Sequence, residues 1–223
     1  MYQSIFFDLD GTLTDSKEGV LECVRYAIET MGRPVPEGPE LLRFIGPPLQ
    51  DSFVRYCGLS PEEARRALRL FQERYVPVGQ FKNRPAPGIA EMMGRLRKRG
   101  LTLALASSKT ESQCVPICRR FGFAPHLAVI AGSSGSRDQS KAEVIREAMG
   151  RLGLTDPRPC LMVGDRKYDV EGARECGMDC VGVEFFGYAP PGELEAAGAV
   201  AVVKTVAELE AFILAHSGTG IQT

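Results

Sequence analysis

The chain of 223 residues is long enough for one large hydrophobic core, or for a core domain that carries a smaller insertion. Its 27 basic and 28 acidic residues give a net charge of −1, which argues against nucleic acid as a partner and favours a small solute. The sequence has no run of 18 apolar residues and an odd set of seven cysteines, so we expect a cytoplasmic protein with reduced thiols and no membrane contact, either monomer or homodimer.

The first predicted element is a strand that ends in acidic residues. Ile5 to Phe7 form an apolar run, and Asp8 and Asp10 follow it with one leucine between them. Because consecutive strand side chains point to opposite faces, the two carboxylates share a side, and Gly11 lets the backbone turn sharply. Like charges at the end of a buried strand repel each other, which a bound cation offsets, and Mg²⁺ prefers such oxygen ligands. A solvated Asp-rich turn is the alternative interpretation.

A helical block is predicted over residues 16–82, with no strand pattern inside it. Val20 to Met31 contain apolar residues at helical spacing, and Asp15 and Glu18 are placed as a capping pair. Ser60, followed by proline and then by glutamate three residues on, predicts another helix start. The predicted helices of this block are 16–31, 40–44, 49–57 and 61–76.

Beyond residue 83 the pattern changes to strands that alternate with helices such as 88–99 and 110–121. The predicted strands are the apolar runs 101–106, 127–131, 160–163, 180–183 and 200–203. Continuous apolar runs are typical of parallel strands buried on both faces. We therefore predict an α/β fold with a Rossmann-like parallel core from 1–15 and 83–216, an inserted helical cap domain at 16–82, and a tail at 217–223.

Polar side chains follow several of these strands, at the edge where parallel sheets place their working sites. They are Asp8 and Asp10, the run Ser107-Ser108-Lys109, Lys141 near a helix start, and Gly164-Asp165. Taken singly, Ser107 has a plainer interpretation as a helix cap, Lys141 as a solvated lysine, and Asp165 as a turn residue. Acids, a hydroxyl and an amine at one sheet edge are, however, what a phosphoryl-transfer pocket needs.

These residues resemble the four signature motifs of the haloacid dehalogenase-like phosphatases, in the same order along the chain. The matching residues are Asp8-Leu9-Asp10-Gly11-Thr12, Ser107, Lys141, and Gly164-Asp165 with Asp169. The helical insertion after the first motif resembles the small cap domain of the phosphoglycolate phosphatase branch. Segments 44–49, 107–109 and 164–169 are similar to bacterial members named phosphoglycolate phosphatases or 5′-nucleotidases.

The resemblance implies a Mg²⁺-dependent phosphatase that acts on a small phosphorylated metabolite. Asp8 would be the nucleophile that becomes an aspartyl phosphate, and Asp10 would protonate the leaving alkoxide and then activate water. Asp8, the backbone carbonyl of Asp10 and Asp165 would hold the metal. Asp169 would support the metal shell or Lys141.

The resemblance also implies a set of phosphate contacts. Ser107 and nearby backbone N–H groups would hold phosphoryl oxygens, with Gly11, Thr12 and Ser108 in the same group. Lys141 would balance charge on the phosphoryl group and steady the nucleophile. Arg137 is a weaker candidate for the same role.

The cap is expected to contribute to substrate choice. Phosphoglycolate would need a cation to meet its carboxylate, and Arg43 or Lys17 is available for this. A nucleotide would favour an aromatic face such as Phe44 or Phe53. Gly46 is a further candidate contact, and the sequence does not rank these substrates.

The presence of Asp10 helps to distinguish between the activities found in the same family. Haloacid dehalogenases and phosphonoacetaldehyde hydrolases lack the second acid, so its presence disfavours both. A β-phosphoglucomutase-like phosphotransferase keeps both acids and the cap, and it stays open as an alternative. A non-catalytic sensor of a phosphorylated ligand is the alternative from a different class, although a sensor has no use for both a nucleophile and a proton donor.

Overall fold

A computed structural model describes residues 1–45, 47–134 and 139–218 of the chain. Contacts within the chain divide it into two units, Met1–Leu13 with Pro85–Thr223 and Thr14–Arg84. That these units act as catalytic core and cap stays a prediction. Within the described ranges, no helix is both long enough and apolar enough to cross a membrane.

Eight strands occur among the described residues. In chain order they are β1 (Ser4–Phe7), β2 (Thr14–Asp15), β3 (Arg84–Pro85), β4 (Thr102–Thr110), β5 (Val129–Ser133), β6 (Cys160–Gly164), β7 (Asp179–Val183) and β8 (Ala201–Val203).

The same part of the chain forms ten α-helices and two single-turn 3₁₀ helices, the latter at Gly79–Phe81 and Ala124–His126. The α-helices are α1 (Lys17–Thr30), α2 (Pro39–Leu42), α3 (Leu49–Cys57), α4 (Pro61–Tyr75), α5 (Ile89–Lys98), α6 (Glu111–Arg120), α7 (Lys141–Arg151), α8 (Lys167–Cys176), α9 (Glu193–Ala197) and α10 (Val206–His216).

Six parallel strands form the central sheet, in the order β5-β4-β1-β6-β7-β8. Strand β1 lies inside the sheet, where Ile5 is in register with Leu103 of β4 on one side and Leu161 of β6 on the other. Along the chain, β4 and β5 extend the sheet on one side of β1, and β6, β7 and β8 then extend it on the other side. The strand order therefore reverses at β1, and the carboxyl ends of strands at such a reversal are where ligands bind in open parallel sheets. The predicted α/β fold class is confirmed.

The core of this unit lies on both faces of the sheet. Ile5 and Phe7 belong to a buried cluster with residues of α5, α6 and α10, whereas Phe6 belongs to a cluster with residues of α7, α8 and α9. Because helices cover both faces, the strands are apolar without alternation, which is why they read as continuous runs in the sequence. All seven cysteines are free thiols.

The unit Thr14–Arg84 is helical apart from the short pair β2 and β3. Helix α4 begins with the expected cap, since the Glu63 N–H donates to Ser60 Oγ at 3.3 Å and the Glu63 carboxylate accepts from the Ser60 N–H. The predicted capping of α1 by Asp15 and Glu18 is wrong. Ser16 is the N-cap and makes no side-chain cap bond, whereas the Asp15 carboxylate accepts from the N–H of Lys17, the first residue of the helix, at 3.2 Å.

Strand β4 is longer than its apolar residues predict, and it runs to Thr110 instead of ending at residue 106. Its pairing with β5 shifts along the way, from Ser107 opposite Gly132 to Thr110 opposite Ser133. Three steps along β4 thus match one step along β5, so Ser108 and Lys109 form a bulge at the carboxyl edge of the sheet. Bulges of this kind redirect side chains next to functional sites.

The predicted tail 217–223 is described only at its start. Ser217 forms a parallel bridge with Tyr2, beside the first strand. Residues 219–223 lie outside the described residues.

Candidate active site

The turn after β1 brings two acids to the edge of the sheet. The Asp8 N–H donates to the Val163 carbonyl at 2.9 Å, which keeps the chain alongside β6 for one residue past the strand. Gly11 then has a φ of +88°, in the left-handed region that favours glycine. The Leu13 N–H donates to the Leu9 carbonyl at 3.0 Å and closes the turn.

Two glycines let the acidic side chains approach the backbone closely. A Cβ atom at Gly11 would lie 2.1 Å from Oδ2 of Asp165, and a Cβ atom at Gly164 would lie 2.2 Å from Cγ of Asp169. Neither position has room for any side chain. The glycines of the first and fourth motifs are therefore required by the packing of the acids as well as by the turn.

Three carboxylates and one ammonium form a buried cluster at this edge. Oxygen atoms of Asp8, Asp165 and Asp169 all lie within 4.8 Å of one another, and the three residues are 7%, 4% and 4% exposed. Lys141, the first residue of α7, places Nζ 2.7 Å from Oδ1 of Asp169 and also donates to Oδ1 of Asp8. One ammonium offsets only one of the three carboxylates, so full ionisation would leave two negative charges without compensation.

The pKa values of the cluster reflect this imbalance. Burial, with added repulsion from neighbouring carboxylates, raises the pKa of Asp8 to about 6 against the attraction of Lys141. Burial and the charges of Asp169 and Asp8 raise the pKa of Asp165 well above its ordinary value. Burial opposes the charge on Lys141, but the two carboxylates outweigh it and raise the pKa of its ammonium.

The donor set fits a hard divalent cation. Oδ2 of Asp165 is buried and has no hydrogen-bond partner among the described residues, which is costly unless something else binds it. The cluster offers carboxylate oxygens and two uncompensated charges, and these are the ligands and the charge that Mg²⁺ takes in proteins. The carboxylate of Asp10 lies outside the cluster, and its backbone carbonyl stays a predicted ligand.

Asp10 is instead paired with a lysine that was assigned no role in the sequence analysis. Nζ of Lys109 lies 2.9 Å from Oδ2 of Asp10. The Lys109 N–H also donates to Oγ of Ser107 at 3.3 Å. No sequence pattern indicated this contact, because it depends on the bulge in β4.

The remaining predicted phosphate contacts differ in exposure. Ser107 is buried and Ser108 is exposed, and both lie at the carboxyl edge of β4. The interpretation of Ser107 as a helix cap is wrong, because Thr110 is the N-cap of α6. Thr12 is fully buried, and its Oγ1 has no hydrogen-bond partner in the described part of the chain.

The predicted substrate residues of the other unit have more ordinary environments. Phe44 and Phe53 are buried against each other with ring centroids 5.3 Å apart, so they belong to the core of that unit and offer no open aromatic face. Arg43 is exposed, with Cζ 5.7 Å from the centre of the Tyr56 ring, and Lys17 is exposed as well. Two predicted candidates, Gly46 and Arg137, lie outside the described residues.

Several known proteins are similar to this chain in sequence. The family model described as haloacid dehalogenase-like hydrolase matches residues 5–183. A Pseudomonas aeruginosa protein named 5′-nucleotidase is 39% identical over 197 residues, which is 87% of this chain and 88% of the relative. A Mycobacterium tuberculosis protein named tyrosine-protein kinase PtkA is 41% identical over 181 residues, 80% of this chain and 61% of that longer relative.

The fold has a solved counterpart. The crystal structure of a predicted phosphatase from Clostridium acetobutylicum aligns with a TM-score of 0.90 at 35% identity, and the match covers 96% of this chain and 99% of that chain. The predicted family and the predicted enzyme class are confirmed by these matches. The chain belongs to the haloacid dehalogenase-like hydrolase family.

Proposed function

We propose that the chain is a Mg²⁺-dependent phosphatase that hydrolyses small phosphate monoesters through an aspartyl phosphate on Asp8. The observation that carries this proposal is the buried cluster of Asp8, Asp165 and Asp169, with Lys141 bonded to two of the three acids. The relative named 5′-nucleotidase, which matches 87% of the chain, supports it.

The metal would be held by carboxylates of the cluster. Asp8, Asp165 and Asp169 each offer one oxygen, and the backbone carbonyl of Asp10 is a further candidate ligand. When bound, Mg²⁺ would supply the positive charge that lets a carboxylate approach a phosphate dianion.

Asp8 is the proposed nucleophile. One of its oxygens attacks phosphorus opposite the ester oxygen, and the bond from phosphorus to that ester oxygen breaks as the aspartyl phosphate forms. Lys141 bonds to Oδ1 of Asp8 and to Asp169, so it fixes the orientation of the nucleophile before substrate arrives.

Asp10 is the proposed proton donor and acceptor. It gives a proton to the departing alkoxide, and it then takes a proton from the water that attacks the phosphorus of the aspartyl phosphate. Its carboxylate is separate from the acid cluster and remains 22% exposed, which leaves it accessible to a leaving group. Hydrolysis returns Asp8 as a carboxylate and releases inorganic phosphate.

The phosphoryl oxygens would be bound by donors at the ends of β1 and β4. Ser107 lies buried at the end of β4, and the Thr12 hydroxyl is a buried group that still lacks a partner. Backbone N–H groups near Gly11 and Ser108, together with the ammonium of Lys141, complete the proposed set.

Nucleoside monophosphates are the first substrates to test, because of the relative named 5′-nucleotidase. Phosphoglycolate follows, since the sequence resemblance implies it alongside a nucleotide, and sugar phosphates are included because a β-phosphoglucomutase-like phosphotransferase stays open as the alternative. The relative named tyrosine-protein kinase is a reason to include acceptors other than water, such as a tyrosine peptide or a second sugar, in the same assay.

The test is phosphate release from a panel of about a hundred metabolite phosphates, with excess Mg²⁺ or with EDTA. We expect turnover with Mg²⁺ only, and Asp8→Asn should lower kcat by roughly a thousandfold or more, since it removes the nucleophile. Asp156→Asn is the matched control, because Asp156 is half exposed and its carboxylate is paired with Arg158, two residues further along the chain. Turnover of Asp8→Asn at the wild-type rate would reject the mechanism.

A thermal-shift measurement on the same proteins separates an enzyme from a sensor. Mg²⁺ should raise the Tm of the wild type and of Asp156→Asn, and it should raise the Tm of Asp165→Asn much less. A wild type that is stabilised by phosphate esters and releases no phosphate from any of them would favour the sensor and contradict the proposed function.

A further inference from the structure

The bulge in β4 places a lysine directly on the proposed proton donor. Ser108 and Lys109 are the two extra residues of the bulge, and the Lys109 N–H donates to Oγ of Ser107 at 3.3 Å. The side chain of Lys109 is only 8% exposed, and Nζ lies 2.9 Å from Oδ2 of Asp10. A lysine buried to this degree must have its charge compensated, so this ion pair is a fixed part of the site.

The pair leaves the two oxygens of Asp10 in different environments. Oδ2 is bonded to Lys109, whereas Oδ1 is buried without a hydrogen-bond partner in the described part of the chain. A carboxyl group that is free to rotate can present either oxygen to a reacting atom. Here the lysine removes that freedom and leaves one oxygen without a protein partner.

We propose that Lys109 is a positioning residue for proton transfer: it holds Oδ2 of Asp10 and leaves Oδ1 as the oxygen that exchanges the proton. In the first step the proton on Asp10 moves to the alkoxide as its bond to phosphorus breaks. In the second step Asp10 takes a proton from water as the water oxygen bonds to phosphorus and the bond to Asp8 breaks. The inference rests on the proposed function, and the contact that carries it is the ion pair of Lys109 with Oδ2 of Asp10.

Leaving-group dependence distinguishes this role from phosphate binding or a structural role. p-Nitrophenolate is a stable leaving group that needs little protonation, whereas phenolate is more basic and depends more on a well-placed acid. The two esters are nearly the same size and carry the same phosphoryl group. A lysine that only bound phosphate, or only held the fold, would affect both equally.

The experiment compares kcat/KM for p-nitrophenyl phosphate and phenyl phosphate in Lys109→Met, Lys109→Arg and wild type, all with saturating Mg²⁺. We expect Lys109→Met to lose about tenfold more kcat/KM on phenyl phosphate than on p-nitrophenyl phosphate, since positioned acids contribute roughly 10²–10⁴ in rate. Lys109→Arg keeps a cation beside Asp10, so the ratio of the two values should return toward that of the wild type. Lys98→Met, which removes an exposed lysine of α5, should leave both values unchanged.

The ratio of the two kcat/KM values in one preparation does not depend on the fraction of correctly folded enzyme. Partial misfolding of Lys109→Met therefore does not obscure the result. Equal losses on both esters, or no loss on either, in an active wild type would overturn the assignment of Lys109 alone. A wild type that hydrolyses no phosphate ester would overturn the proposed function, and this assignment with it.

Discussion

At the scale of a single residue, the buried carboxylate of Asp8 lowers the stability of the folded, metal-free protein. Its carboxyl is buried beside two other acids, and burial raises its pKa from 3.8 to about 6. The unfolded chain ionises near pH 4, so between about pH 4 and pH 6 the folded, metal-free protein holds a proton that the unfolded chain has lost. A raised acid pKa therefore costs stability as the pH rises through this window, and the full cost is present above it.

Because the raised pKa of Asp8 lowers stability as the pH rises, it gives a prediction for the metal-free protein. In EDTA, the gain in unfolding free energy of Asp8→Asn over wild type should grow from pH 4 to pH 6 and then level off, at an upper limit of about 3 kcal/mol. Urea unfolding at half-unit pH steps measures it. Asp156→Asn should show no such growth, because Arg158 holds the pKa of Asp156 below its ordinary value. A gain for Asp8→Asn that stayed flat or shrank over the window would contradict the buried, uncompensated carboxylate.

The sequence predicts some of these residues better than others. Asp8, Asp165 and Lys141 were placed by one rule, that polar residues after parallel strands gather at the same edge, and the structure brings them together. Lys109 was placed at the same edge but was given no role, because its contact with Asp10 depends on a bulge that the residue types do not encode. Phe44 was offered as a surface for a nucleotide, yet an aromatic residue at helical spacing is more simply a core residue, as the structure has it.

At the scale of elements, the helices α7 and α8 position the lysine of the cluster. Lys141 begins α7, and Gly172 of α8 faces it: a Cβ atom at Gly172 would lie 2.9 Å from Cβ and Cγ of Lys141 and 3.1 Å from the backbone nitrogen of Ala142. The absence of a side chain therefore sets how closely the two helices pack, and through that packing it sets the place of the ammonium.

Two glycine substitutions test this packing against each other. Gly172→Ala should force the first turn of α7 away and lower kcat by roughly tenfold or more, because small displacements of catalytic groups are costly. Gly150→Ala in the same α7 has nothing within 4 Å and should stabilise the protein by about 0.5–1 kcal/mol with unchanged kcat. The test is to measure kcat and Tm for both variants and for the wild type. Equal kcat in both variants would show that the approach of α8 does not position Lys141.

Element types followed from the sequence more reliably than element ends. The cap of α4 was predicted because Ser60 and Glu63 satisfy each other locally. The end of β4 was not, because residues 107–110 are polar and join the sheet only through pairing with β5, which is a long-range contact. The predicted cap of α1 was wrong for a local reason, because Ser16 takes the N-cap position and the Asp15 carboxylate accepts from the N–H of Lys17, the first residue of the helix.

At the scale of the whole molecule, the acid cluster depends on the assembled sheet. Asp8 and Lys141 are 133 residues apart in the chain, and the cluster also draws on the end of β6 and the first turn of α8. Periodicity indicated parallel strands, but their order around β1 came only with the structure. The functions of the two units, and the substrate that the smaller unit would help to select, stay predictions because they depend on contacts with a substrate that no sequence pattern specifies.

The central claim is that Asp8 carries the phosphoryl group during turnover, and chemical trapping tests it most directly. The wild-type chain is mixed with p-nitrophenyl phosphate and Mg²⁺, quenched within the first turnovers, and reduced with borohydride, which converts an aspartyl phosphate to homoserine. Peptide mass spectrometry should find homoserine at position 8, and none when substrate or Mg²⁺ is omitted. Homoserine at another position, or an unmodified Asp8 in a sample that is releasing phosphate, would contradict the account.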